Sequence, residues 1–253
     1  MEKKTKKKVQ LSDLTKAQLL EIITLEETKI AESWWLDDTG ISLPAKEQTE
    51  SDDITARLLR DDPSLMNEAT IWSRAIYPLL MLAERDKIRA WAEVSLSADF
   101  YDTILSGTAD GAFATSVAGI IEIPYFVIVE GKRALENKNP RIQFYGQLLA
   151  AAHLNWEQDP KETTEIFGCY TIGTLWTISR ATLQGMDTTK PHMAVEYSRE
   201  YMQQLEAETI LKWHVASHNV CNLPTCSRPR AFGHHTAVDA DIFACHKRCT
   251  VAG

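Results

Sequence analysis

The stretch Pro124-Tyr125-Phe126-Val127-Ile128-Val129-Glu130-Gly131-Lys132-Arg133 decides how the rest of the chain is read. Residues 123–129 are almost wholly apolar and rich in β-branched side chains, which predicts a central strand buried on both faces. Glu130 and Lys132 follow at once. Residues two apart on a strand point to the same side, so the two charged heads should project together at the end of a sheet. Glu-x-Lys alone carries little, since it also occurs at Glu2–Lys4, Glu27–Lys29 and Glu136–Lys138, in contexts that read as a tail, a helix and a loop. The apolar strand before it is what singles out Glu130.

Neighbouring segments supply the remaining layers. Two further runs, 88–96 and 104–114, read as strands, and 166–171 with 175–178 read as a strand pair turning at Gly173. Asn67 to Arg85 carries Ile71, Ala75, Ile76, Leu79, Leu80 and Leu82 on a helical stripe, interrupted at Pro78. Ile142 to Trp156 is a second helix, with Phe144, Leu148, Ala151 and Ala152 close to one stripe, and Glu196 to Val215 is expected to be a closing amphipathic helix. A capped helix is expected from Ser12 through Ile30, and residues 37–53, with their Gly, Pro, Ser and acids, read as a linker. The five lysines among residues 1–10 suggest a mobile, solvated terminus. The order helix, strands, helix, strands, helix predicts an α/β (α+β) fold with a central mixed β-sheet flanked by helices.

Composition bounds the function. With 253 residues, 44% hydrophobic and 25% charged, the chain should fold around one core. No run approaches the roughly 20 apolar residues of a bilayer span. No membrane partner is therefore expected, and an intracellular, cytoplasmic location is. The net charge of −8 argues against a surface that coats a phosphate backbone, though a local groove could still bind one. Four of five cysteines lie at 221–249, so a disulfide framework for the body is not expected.

A second carboxylate comes from Gly107-Thr108-Ala109-Asp110-Gly111. If the strands carrying Asp110 and Glu130 are neighbours, the two converge and can hold a hard divalent cation, Mg²⁺ or Mn²⁺, which prefers oxygen ligands. Lys132 beside them could stabilise negative charge in a transition state. Gln143 and Gln147 are four residues apart on the following helix and share a face. An amide there could position the lysine, a water or a phosphate oxygen.

Taken together, Asp110, the hydrophobic strand ending in Glu130-Gly131-Lys132, and Gln147 within Gly-Gln-Leu-Leu-Ala resemble the PD-(D/E)xK nuclease superfamily. More narrowly, residues 66–218 are similar to the nuclease domain of type I restriction motor subunits and their stand-alone relatives. The segment Ile166-Phe167-Gly168-Cys169-Tyr170-Thr171-Ile172-Gly173-Thr174-Leu175-Trp176 adds to the likeness. The resemblance implies a restriction-endonuclease-like core and a Mg²⁺-dependent endonuclease acting on DNA. It implies that Asp110 and Glu130 are metal ligands, Lys132 the catalytic lysine and Gln147 an accessory catalytic residue. Glu68, near the start of the first core helix, fits the family's helix acid loosely as a further metal ligand. Ala109 stands where the superfamily's name has proline. No GxxxxGK[ST] loop occurs, so an ATP-driven motor is not expected in these residues. A homodimer is compatible with the resemblance, but no dimer face is legible.

The expected organisation is an N-terminal helical extension and linker at 1–62, the nuclease-like domain at 63–220, and a Cys/His-containing tail at 221–253 outside the fold. The spacings Cys221-x4-Cys226 and Cys245-x3-Cys249 lack the usual Cys-x2-Cys knuckle, so zinc is not expected in the tail. Plainer alternatives remain at each site residue. Glu130 with Lys132 could be a solvated ion pair, Gln147 an ordinary surface amide, and Glu68 an acid favoured by the helix dipole. A nuclease fold can also lose catalysis and persist as a module that binds nucleic acid or a protein partner.

Overall fold

From Val127 to Val129, alternating residues of the run 123–129 enter two different cores. Val127 and Val129 pack with Phe113, Phe167 and Ile178 on one side of the sheet, while Ile128 packs with Ala112, Phe144 and Leu148 on the other. Each of these fully buried aliphatic side chains contributes roughly 1.5–3 kcal/mol of hydrophobic stabilisation. The computed structural model describes residues 6–29, 33–38, 40–132 and 140–222. The chain divides into residues 1–222 and 223–253. The second unit lies outside the described residues, and with it Cys226, His234, His235, Cys245, His246 and Cys249.

The elements are β1 (Lys7–Gln10), α1 (Lys16–Ile22), β2 (Thr24–Lys29), α2 (Ala45–Arg60), α3 (Glu68–Ile71), α4 (Tyr77–Leu82), β3 (Ile88–Asp99), β4 (Thr103–Val117), β5 (Ile120–Lys132), α5 (Pro140–Gln158), β6 (Thr163–Ile172), β7 (Leu175–Gln184), β8 (His192–Met202) and α6 (Gln203–Asn222). The eight strands form one mixed sheet in the order β1-β4-β5-β6-β7-β8-β2, with β3 pairing antiparallel to β4. Pairs β1/β4, β5/β6 and β2/β8 are parallel and the others antiparallel. The architecture is thus mixed α/β, with helices on both faces. The α5 helix covers one face, and α2, α3, α4 and α6 contribute to the other. Among the described residues no helix is long and apolar enough to cross a membrane.

The expected central strand, the α5 helix and the turn at Gly173 are all present. The interruption at Pro78 takes the form of a π turn, Trp72–Ile76, just ahead of it. Proline has no N–H to give to the preceding turn, and a wider turn accommodates its ring.

Four expectations are corrected. Lys7–Gln10 is not a solvated tail but strand β1, with Val9 buried and flanking lysines exposed. The helix expected from Ser12 through Ile30 ends at Ile22. It starts at a capping box between Thr15 and Gln18, and the chain then turns extended at Ile23 into β2. The β-branched run Ile22-Ile23-Thr24 fits a strand better than a helix. The supposed linker 37–53 contains the first half of α2, whose Ser51, Ile54 and Leu58 face the core. Residues 196–202 are strand, the end of β8, and the helix begins only at Gln203. Residues 7–29 therefore supply two strands of the sheet and are not a helical extension set apart from it.

Candidate active site

The pairing of β4 with β5 stops midway along β4, close to the last residues of β5. Their last registered pair toward this end is Gly111 with Val129, so the next step sets Asp110 across from Glu130. Asp110 Oδ2 accepts a hydrogen bond from the Gly131 backbone N–H at 2.7 Å, which ties the two strands together at the acids. Glu130 is fully buried. Its Oε2 accepts from Gln147 Nε2 at 2.6 Å, and Lys132 Nζ lies 2.8 Å from its Oε1. The same Gln147 amide nitrogen is 3.2 Å from the Thr108 carbonyl, so one α5 side chain is bound to both strands. Next to it on α5, Gly146 lies against the turn that carries Leu11 and Leu14. A Cβ there would come within 2.6 Å of Leu14 and 2.8 Å of Leu11.

Lys132 Nζ also lies 3.7 Å from Glu68 Oε1. Glu68 begins α3, held by Asn67, whose side chain caps the Thr70 N–H at 2.8 Å. The structure thus brings Asp110, Glu130, Lys132, Gln147 and Glu68 together. Glu130 and Lys132 come from the end of β5, Asp110 from the middle of β4 and Gln147 from α5, with Glu68 on the rim. Beside them opens a cleft of about 350 Å³ lined by Glu68, Trp72, Glu93, Asp110 and Lys132.

Two of these lining residues were not singled out in the sequence. Trp72, in the π turn, rests on the sheet where the strands have glycine. A Cβ on Gly111 would stand 2.8 Å from Trp72 Cη2, whereas one on Gly131 would be in ordinary contact at 3.4 Å. The ring also stacks on Tyr77, centroid to centroid 5.9 Å. Glu93 lies on β3 between the registered pairs Ala92–Gly111 and Val94–Ala109, beside Asp110. Its φ of 52° is left-handed, a conformation that costs a residue with a side chain on the order of 1–3 kcal/mol. A strand pattern gives no sign of such a backbone, and two glycines are the only trace of Trp72 in the sequence.

Electrostatics follow from burial. Burial pushes the Asp110 carboxyl above its usual range, against the Gly131 N–H and Lys132, with Glu68 and Glu93 adding to the rise. Glu130 is pushed up to about 7 by burial and by Asp110, with Lys132 and Gln147 opposing. For Lys132, burial works against the charged form, but Glu130, Asp110 and Glu68 more than offset it, and its pKa is raised.

Two buried carboxylates whose pKa values are both raised, Glu130 partly by Asp110, form a set that a cation relieves, and their oxygens are the donors a hard divalent ion prefers. Among the described residues no three His, Cys, Asp or Glu side chains gather into a closed cage. Mg²⁺ does not require one, because it commonly keeps several waters. Asp110 and Glu130 therefore fit such an ion. No protein-family model matches the chain, and no curated protein matches it.

Proposed function

We propose that this chain is a metal-dependent nuclease with a restriction-endonuclease-like core that hydrolyses phosphodiester bonds in DNA. The observation that carries this reading is the meeting of Asp110, Glu130, Lys132 and Gln147 where the pairing of β4 with β5 stops, beside an open cleft. A Mg²⁺ or Mn²⁺ ion held by Asp110 and Glu130 would supply Lewis acidity toward a phosphoryl oxygen and an acidified water.

The chain's own residues do the rest. The Gly131 N–H fixes one Asp110 oxygen and so orients the carboxylate. Gln147 fixes one Glu130 oxygen in the same way, and its second bond to Thr108 prevents it from swinging aside. Lys132, tethered between Glu130 and Glu68, would present an ammonium to the phosphoryl oxygens on which negative charge builds. Trp72 closes one side of the cleft and excludes water there.

The test is cleavage of supercoiled and single-stranded DNA with Mg²⁺ or Mn²⁺. Wild type is expected to cut, and Asp110→Ala and Lys132→Ala to lose on the order of 10²–10³-fold in rate while circular dichroism stays unchanged. A wild type inert under these conditions, or variants that cut equally well, would overturn the reading.

A second reading is favoured by the acidic rim. Glu68 and Glu93 face the cleft, and the net charge is −8, a poor welcome for a phosphate backbone. On that reading the fold is a catalytically silent binding module. Calorimetric titration with Mg²⁺ separates the two, because a silent module has no need of a cation at Asp110 and Glu130.

A further inference from the structure

The charges on α2 come in blocks. Glu50, Asp53, Arg57 and Arg60 recur at i, i+3, i+7 and i+10, so they form one strip next to the core-facing Ser51, Ile54 and Leu58. Read along the helix the strip runs acid, acid, base, base over about 15 Å. It forms one wall of an open groove of about 840 Å³. Pro78, Met81 and Leu82 of the α4 helix form the other wall, and Met81 is 50% exposed. Among the described residues Asp53, Arg57 and Arg60 form no ion pair, and Glu50 meets only Lys46, at 3.5 Å.

A strip ordered in this way is its own complement when turned end for end. Two α2 helices laid antiparallel set Glu50 against Arg60 of the partner subunit and Asp53 against Arg57 of the partner subunit. Both pairs are centred on the same position, level with Thr55, so a single two-fold axis satisfies all four contacts. That is the signature of an isologous interface, in which one patch meets itself. A nucleic acid fits poorly, since Glu50 and Asp53 would face phosphates. An unrelated helix would need no such internal symmetry.

We propose that the groove between α2 and α4 is a two-fold interface, filled by the α2 helix of a second copy of this chain. The inference is independent of the cleft at Asp110 and of any activity there. Met81 from each copy lies against the opposing helix and supplies apolar contact, while the four ion pairs set register and direction.

Analytical ultracentrifugation of the full chain at low salt tests this. Wild type is expected to sediment as a dimer and to dissociate as NaCl rises from about 50 mM to about 500 mM, where screening is strong. The doubly substituted Arg57→Glu/Arg60→Glu and Glu50→Lys/Asp53→Lys proteins should each be monomeric. Mixed one to one they should form a heterodimer, which also shows that both are folded. A wild type that stays monomeric at about 100 μM, variants that remain dimeric alone, or a mixture that fails to associate would each overturn the proposal.

Discussion

Glu130 is held in a position that water would contest. A fully buried carboxylate with Asp110 across the strand is stable only in company, and Lys132 with Gln147 supplies part of it. Because its folded pKa is raised to about 7 from a usual 4.5, the folded state binds more protons than the unfolded one between those values. Stability from this group therefore falls as pH climbs through that window, by roughly 1.4 kcal/mol per unit at most. A divalent cation replaces the lost proton. The gain in Tm on adding Mg²⁺ should accordingly be larger at pH 8 than at pH 5.5, and scanning calorimetry with and without the ion measures it. Equal gains at both pH values would refute a cation site built on Glu130. Much of this site was legible in the sequence, because Asp110, Glu130, Lys132 and Gln147 each sit in or beside a segment with strong periodicity. Glu93 was not, since its left-handed backbone is imposed by the sheet around it and leaves no local pattern.

At the scale of elements, β4 and β5 bring their acids together beside a flat ring that packs on their glycines. Trp72, together with the Trp91 carbonyl oxygen 3.0 Å from where a Cβ would stand, leaves Gly111 little room for a methyl group. Gly111→Ala should cost on the order of 1–3 kcal/mol in urea unfolding, the usual penalty of overpacking. Adding Trp72→Leu to the same chain should recover most of that loss. If the double variant is no more stable than Gly111→Ala alone, Trp72 is not the obstacle. The elements read correctly from sequence are those whose information is local: the continuous apolar run of β5, the α5 stripe, and the β6–β7 turn at Gly173. Strands β1 and β2 were missed because their partners, such as Thr103 and His192, lie far along the chain, and parallel pairing leaves no turn to announce it. The α2 helix was missed because its acids and its narrow core stripe of Ser51, Ile54 and Leu58 read as a loop beside Gly40 and Pro44.

For the whole molecule, the α6 helix carries two histidines into the core against the sheet. His214 contacts Cys169 Sγ at 4.0 Å and Trp176, and His218 lies against Phe113 and Phe126 with neither ring nitrogen bonded. Burial lowers both to about 3. His218 further lowers His214, and Arg85 further lowers His218. The unfolded chain, with ordinary histidines near 6.5, then binds more protons than the folded one between the two values. Their contribution to stability is present in full above pH 6.5 and drains away as pH falls toward 3, at roughly 1.4 kcal/mol per unit for each ring. Glu130 opposes this loss between pH 7 and 4.5, so urea unfolding should show a net decline that begins below pH 6.5 and steepens below pH 4.5, and His218→Leu should flatten it. A slope unchanged by that substitution would place the acid sensitivity elsewhere.

The pairing of β2 with β8 also sets an order of events. A ribosome makes Thr24–Lys29 early, yet the strand it joins, His192–Met202, is among the last parts of the body to emerge. Until then β2 has no edge to join. The nascent chain must carry Thr24–Lys29 unpaired while every residue between it and His192 is made, and this edge of the sheet forms only when β8 arrives.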